Sequence, residues 1–155
     1  MYVVDTNSWS VLRNFYPKAF KTFWQQLDAL VAGGEVVSVR EVQNELKRVS
    51  HSEHLDEWLD ANKGLFSGPT EDELEFVAEI FKIDHFRQLV GRHQVLVGNP
   101  AADPFVIARA KILGGCVVTE EKLKPNAAQI PNVCDHFDIE CVNLEGLIEA
   151  EGWEF

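Results

Sequence analysis

Tyr2-Val3-Val4-Asp5-Thr6-Asn7 decides how this chain is read. A short apolar run ends on a carboxylate, and two small polar residues follow. Open α/β sheets build their sites this way, with a buried strand carrying a group to its C-terminal tip and a helix behind it. An unpaired carboxylate costs too much to be buried as core. Asp5 therefore either caps the next helix or holds a cation.

Outward from that strand, the spacing predicts helices over 8–15 and 17–32, broken at Tyr16-Pro17 because proline disfavours helix in the residue before it. Phe20, Phe23, Trp24, Leu27, Leu30 and Val31 recur at helical spacing and are expected in the core. Gly33-Gly34 stops that helix. Val36-Val37-Ser38 reads as a second strand, with a helix over 39–49 whose apolar side carries Val39, Val42, Leu46 and Val49. A helix over 52–63 follows, and Ser67-Gly68-Pro69 reads as a loop. Thr70 and Glu73 form a capping box for the next helix, with Leu74, Val77, Ala78, Ile80 and Phe81 on its buried face. Residues 84–98 read as a short helix and a loop, with a turn signal at Gly98-Asn99-Pro100. Asp103 is placed as N-cap and Pro104 as first residue of a helix to about Leu113. Cys116-Val117-Val118-Thr119 reads as a strand ending on Glu120-Glu121. A loop, a strand over 139–142 and a helix over 144–151 complete the chain. Alternating strands and helices predict an α/β fold of three layers, a central, mainly parallel sheet with helices on both faces.

The chain has 155 residues, 46% hydrophobic and 25% charged, as expected of one globular domain with its own core. No signal peptide or membrane span is read, and a cytoplasmic protein is expected. Cys116, Cys134 and Cys141 lack CxxC spacing and read as reduced thiols. The net charge of -11 argues against a broad basic footprint for nucleic acid. Two divalent cations would add four charges and leave -7, so any contact with nucleic acid needs local basic patches. Acidic surface also suits a basic protein partner.

Several acids fall at strand ends or helix starts. Asp5 ends the first strand; Glu41 and Glu45 lie four apart on one face of the helix after the second. Asp103 opens the later helix, and Glu120 and Glu121 end the third strand. In a parallel sheet these positions share one edge. Clustered carboxylates repel unless a cation neutralises them, and hard oxygen ligands suit Mg2+ or Mn2+. Such ions polarise phosphoryl groups and activate water. Taken singly, each acid has an ordinary reading as cap, solvated helix residue or surface charge. Their joint placement favours a metal site for phosphodiester hydrolysis.

Four segments carry a resemblance: Asp5-Thr6-Asn7; Val42-Gln43-Asn44-Glu45-Leu46; Ala102-Asp103-Pro104-Phe105-Val106-Ile107-Ala108; and Val117-Val118-Thr119-Glu120-Glu121. In order they resemble the motifs of PIN domains, the metal-dependent ribonucleases that include the VapC toxins of toxin–antitoxin pairs. The likeness spans nearly the whole chain and is nearest a bacterial PIN-like sub-family that shares the Ile130-Pro131-Asn132-Val133-Cys134 ending. It implies one PIN-like domain over 1–155, with a helical insertion at about 50–98. It also implies an Mg2+- or Mn2+-dependent endoribonuclease that acts on RNA. Asp5, Glu45, Asp103 and Glu121 match the four metal-binding, catalytic acids. The fourth is ordinarily aspartate, and either Glu120 or Glu121 can face the metal. Thr6, Asn7 and Thr119 match supporting polar positions, and Glu41 is an extra acid. An antitoxin protein and a second copy of the chain are the implied partners.

Arg13, Arg40, Arg109, Lys111, Lys122 and Lys124 lie near the acids in sequence and are candidates for RNA contact. Residues 82–93 are the most basic stretch, where Phe86 is a candidate for base stacking, though an ordinary surface helix is the stronger reading. His51, Glu53 and His54 read as a polar helix start rather than a metal site. Trp153-Glu154-Phe155 is expected to pack on the domain or a partner. A non-catalytic PIN-like RNA- or protein-binding module and a phosphatase using the same acids are the rival readings.

Overall fold

Five short strands form one sheet, all paired parallel, in the order β3-β2-β1-β4-β5. They are β1 (Tyr2–Val4), β2 (Val36–Val39), β3 (Phe66–Ser67), β4 (Cys116–Val118) and β5 (Cys141–Val142). The coordinates are a computed structural model that describes residues 1–49, 52–90 and 101–155. His51, Arg92, His93 and the Gly98-Asn99-Pro100 signal lie outside them. Val3, Val36, Val39, Val117 and Val118 are almost wholly buried, as apolar strands covered on both faces should be.

Eight α-helices lie among the described residues: α1 (Thr6–Val11), α2 (Lys21–Ala32), α3 (Arg40–Val49), α4 (Glu53–Ala61), α5 (Glu71–Phe81), α6 (Asp103–Leu113), α7 (Ile130–His136) and α8 (Leu144–Ala150). The chain winds outward from β1 through β2 to β3, then returns to the other side of β1 for β4 and β5. Right-handed crossovers in opposite directions place their helices on opposite faces. α6 packs across β1, β2 and β4 beside α5 and α7. The aromatic side chains of Trp9, Trp24, Phe23 and Trp58 bring α1, α2 and α4 together.

Several elements differ from expectation for local physical reasons. β3 lies in the stretch expected as a helical insertion, so that segment also supplies an edge of the sheet. Phe20 precedes α2, is 38% exposed and stacks on Phe15 instead of entering the core. Val49 and Leu74 are also exposed. On α5 the inward face runs through Glu73, Val77 and Ile80. Glu73 turns inward because it meets Arg109, and that rotates Leu74 to solvent. The Thr70 capping box itself is present.

Gly114 ends α6 in the left-handed region at φ 64°, where glycine carries no steric penalty. At Gly115 a Cβ would lie 3.0 Å from the Met1 carbonyl oxygen. That close approach lets Cys116 donate to Met1 and align β4 with β1. The three cysteines form no disulfide. The tail folds back, with Trp153 and Phe155 against Phe23.

Candidate functional site

The sheet order reverses beside β1, and the crevice beyond the ends of β1 and β4 is where open parallel sheets hold ligands. Asp5 follows β1, and its amide donates to Val118 of β4. It occupies the N-cap position of α1 but makes no side-chain cap hydrogen bond. Asp103 is not an N-cap either. Ala102 precedes α6 in helical geometry, and Asp103 is already the first helical residue. Both aspartates therefore lack the ordinary capping role that their positions suggest.

Hydrogen bonds join the neighbourhoods of the four matched acids. Thr6, next to Asp5, donates its hydroxyl to Glu45 Oε2. The Ala102 amide, next to Asp103, donates to Glu45 Oε1 at 3.1 Å. Glu45 thus spans the gap between the other two segments. The Thr119 hydroxyl lies 3.1 Å from Asp5 Oδ2 and 3.2 Å from Asn7 Oδ1, one proton between two acceptors. Asn7 Oδ1 also accepts from the Glu120 amide at 2.9 Å. Asn7 and Thr119 therefore clamp the end of β4 against the start of α1.

Electrostatics place the acids in one field. Burial pushes Asp5 up to about 7, and the charges of Glu121 and Glu45 add to it, while the Thr6 amide and Thr119 hydroxyl pull the other way. Burial pushes Asp103 up to about 8, with further pressure from Asp5, Glu121 and Glu45. Asp5 is 3% exposed, and its Oδ1 has no hydrogen-bond partner. An orphaned buried carboxylate oxygen carries a desolvation cost that a cation would offset.

Glu120 and Glu121 separate cleanly. Glu120 turns away, and its Oε1 accepts from Ser8 Oγ and from the Leu144 amide at the start of α8. Glu121 is the member whose charge acts on Asp5 and Asp103. Its Oε2 accepts from the Ile130 amide at 2.8 Å. Among the described residues, no three metal-capable side chains already stand close enough to share one ion. Glu45 and Glu121 each commit oxygens to hydrogen bonds with neighbouring groups, and like charges repel one another. Each bound oxygen keeps a second lone pair, the donor chemistry that suits a hard divalent cation. Glu41 is buried, pairs with Arg40 through Oε1 and leaves Oε2 unpartnered.

Two expected RNA contacts are corrected. Arg109 is 4% exposed. Its guanidinium meets both oxygens of Glu73 at 3.0 Å, and it also donates to the Ser38, Ser67 and Gly68 carbonyls. It ties α6 to α5 and to the ends of β2 and β3. The sequence did hold a signal: α6 is apolar nearly all round, so an arginine in its middle must be buried and paired. Lys111 lies in the last turn of α6, two turns from Asp103, and donates to the Phe137 carbonyl after α7. It is at the wrong end of the helix for the site. Arg13, Lys122 and Lys124 are exposed, and Arg40 is half-exposed in its pair with Glu41. In the basic stretch, Phe86 is buried, while Lys82 and Arg87 pair with Glu79 and Asp84. Both ring nitrogens of His54 are engaged, with Ser52 and the Leu12 carbonyl.

Residues 2–155 match a domain of unknown function, DUF4411. The chain belongs to the DUF4411 family. Solved structures add the fold. This DUF4411 chain superposes on VapBC2 from Rickettsia felis, solved bound to a DNA fragment from their promoter, with a TM-score of 0.52 and 14% identity. It superposes on FitAcB from Neisseria gonorrhoeae with a TM-score of 0.50 and 17% identity. Each comparison covers 92% of this chain and 97% of the other. The fold is PIN-like, as the motifs predict. None of the curated proteins compared matches it. Among the described residues, no helix is long and apolar enough to cross a membrane.

Proposed function

We propose that the chain is an Mg2+- or Mn2+-dependent endoribonuclease and serves as the toxin of a toxin–antitoxin pair. The observation that carries this reading is Asp5 Oδ1, buried and unpartnered in the field of Glu121 and Glu45. A bound divalent ion would supply the Lewis acidity for phosphodiester hydrolysis. Asp5, Asp103 and Glu121 would hold it, with Glu45 joining from its place between Thr6 and Ala102. Thr119 and Asn7 orient the Asp5 carboxylate and fix the β4 end. Water is the attacking group, so no side chain has to serve as nucleophile. A charge of -11 suits a basic antitoxin surface, and a second copy of the chain is the other partner considered.

The direct test is RNA cleavage with Mn2+, comparing the native chain with Asp5→Ala. Cleavage should fall by at least about a hundredfold, the scale of losing a principal electrostatic contributor. Equal cleavage by the variant would remove Asp5 from the chemistry. A non-catalytic binding module remains the second reading, favoured because no three metal-capable side chains among the described residues already stand close enough to share one ion. Calorimetric titration separates the two, since a chain that takes up neither ion at millimolar concentration is not a metal-dependent nuclease.

A further inference from the structure

A groove of about 330 Å³ opens at the ends of β4 and β5, immediately beside the acid site. Its volume lies at the small end for a ligand pocket, enough for one compact planar group. Leu123, Pro131 and Val142 give it apolar walls, with Cys141 beside them. Leu123 is 60% exposed despite its size. Glu121 belongs to this groove and to the acid cluster alike. Whatever fills the groove therefore touches Glu121, whose charge acts on Asp5 and Asp103.

The rim is polar, and its bonding capacity is partly spoken for. Asn143 Oδ1 accepts from the Gly146 amide at 2.9 Å, and its amide nitrogen makes no hydrogen bond among the described residues. Glu120 uses Oε1 twice, for Ser8 and Leu144, and Oε2 has no partner there. Lys122 stands on the same rim, exposed and in no ion pair among the described residues. One amide donor (Asn143), one cation (Lys122) and the carboxylates of Glu120 and Glu121 thus surround apolar walls. A nucleobase has the complementary pattern, with apolar faces, donors and acceptors around its edge, and a phosphate attached nearby.

We propose that this groove seats a single nucleobase of an RNA strand, with Lys122 on the adjoining phosphate. The proposal rests on the nuclease reading for its choice of polymer, but not for its test. In a protein of charge -11, a lysine beside the acids gives a local counterweight that lets a phosphate approach. The groove would then set which base lies next to the bond presented to the acid cluster.

The test is a 1H–15N NMR titration of the native chain with AMP, GMP, CMP and UMP in turn, in EDTA so that no ion bridges phosphate to the carboxylates. Amide signals of Leu123, Cys141, Val142 and Asn143 should move and saturate, more for some bases than others. Lys122→Glu should weaken the apparent affinity by about threefold, the scale of an exposed charge contact. Leu123→Ala should weaken it by a similar factor of about three, as part of an apolar wall is lost. Inorganic phosphate alone should leave Cys141 and Val142 unmoved. The proposal is overturned if no nucleotide moves these amides, or if phosphate moves them equally. Cleavage of RNA is scored separately. Nucleotide binding without cleavage would keep the groove and remove the nuclease, and cleavage without these shifts would do the reverse.

Discussion

Two of the buried acids among the described residues, Glu73 and Asp5, are held on opposite terms. Glu73 is buried against Arg109, which meets both its oxygens and three carbonyls besides. Asp5 is buried beside other acids, and one of its oxygens meets nothing. The same helix, α6, carries Arg109 to the first group and Asp103 to the second. A carboxylate completed from within serves the fold. A carboxylate left open at a sheet's C-terminal edge is available to something from outside.

The largest expected effect breaks the completed group. Arg109→Met removes the charge that opposes Glu73 among the described residues and strands several carbonyls. A loss of about 3–5 kcal/mol of folding stability is expected, as for breaking a buried pair from one side. Urea unfolding reads it. A loss below about 1 kcal/mol would reduce the pair to the worth of a surface contact.

The next effect belongs to the open group and has a defined sign. Asp5 and Asp103 hold their protons up to about 7 and about 8 in the folded chain, whereas an unfolded aspartate releases its proton near pH 4. Through that window the folded, ion-free protein binds more protons than the unfolded chain, so its stability falls as pH rises. A drop on the order of a few kcal/mol is expected between about pH 5 and about pH 8. Asp5→Asn should remove roughly half of it, because burial still holds Asp103 up, and millimolar Mn2+ should restore the native chain at the higher pH by mass action. Identical pH profiles for native and Asp5→Asn chains would show that Asp5 is not strained by burial.

How far this contrast could be read in advance depends on the residue. Asp5 was legible because β1 is a contiguous apolar run that stops on it, and strand ends define a shared edge. Glu45, Asp103 and Glu121 were legible from motif order, since each follows a recognisable strand or helix start. β3 was not, because two residues cannot show a period and only pairing with β2 makes them a strand. Arg109 was misassigned because its partner Glu73 is 36 residues away. The choice between Glu120 and Glu121 was open because neighbours on an extended segment point opposite ways, and distant partners, the Ser8 hydroxyl and the α8 amide, engage Glu120.

That choice sets the smallest test. Glu120→Gln should cost about 1 kcal/mol through a weakened charge-assisted bond to α8, with Mn2+ stabilisation unchanged. Glu121→Gln should lower Mn2+ stabilisation; in the ion-free protein it weakens the bond to the Ile130 amide but relieves repulsion on Asp5 and Asp103, so the net change is small. Reversed results in thermal melts would exchange the two roles.

The order of the sheet has one more consequence. β1 is the central strand, yet Cys116, where β4 begins, follows Val4 by 112 residues. During synthesis one flank of β1 stays unpaired until nearly the whole chain has emerged, and long-range parallel pairing of this kind closes slowly. Fragments that stop short of β4 carry Asp5, Glu45 and even Asp103 without the strand that gathers them. A prematurely terminated chain is therefore a hazard for aggregation, with an open apolar strand edge, and it lacks the assembled site.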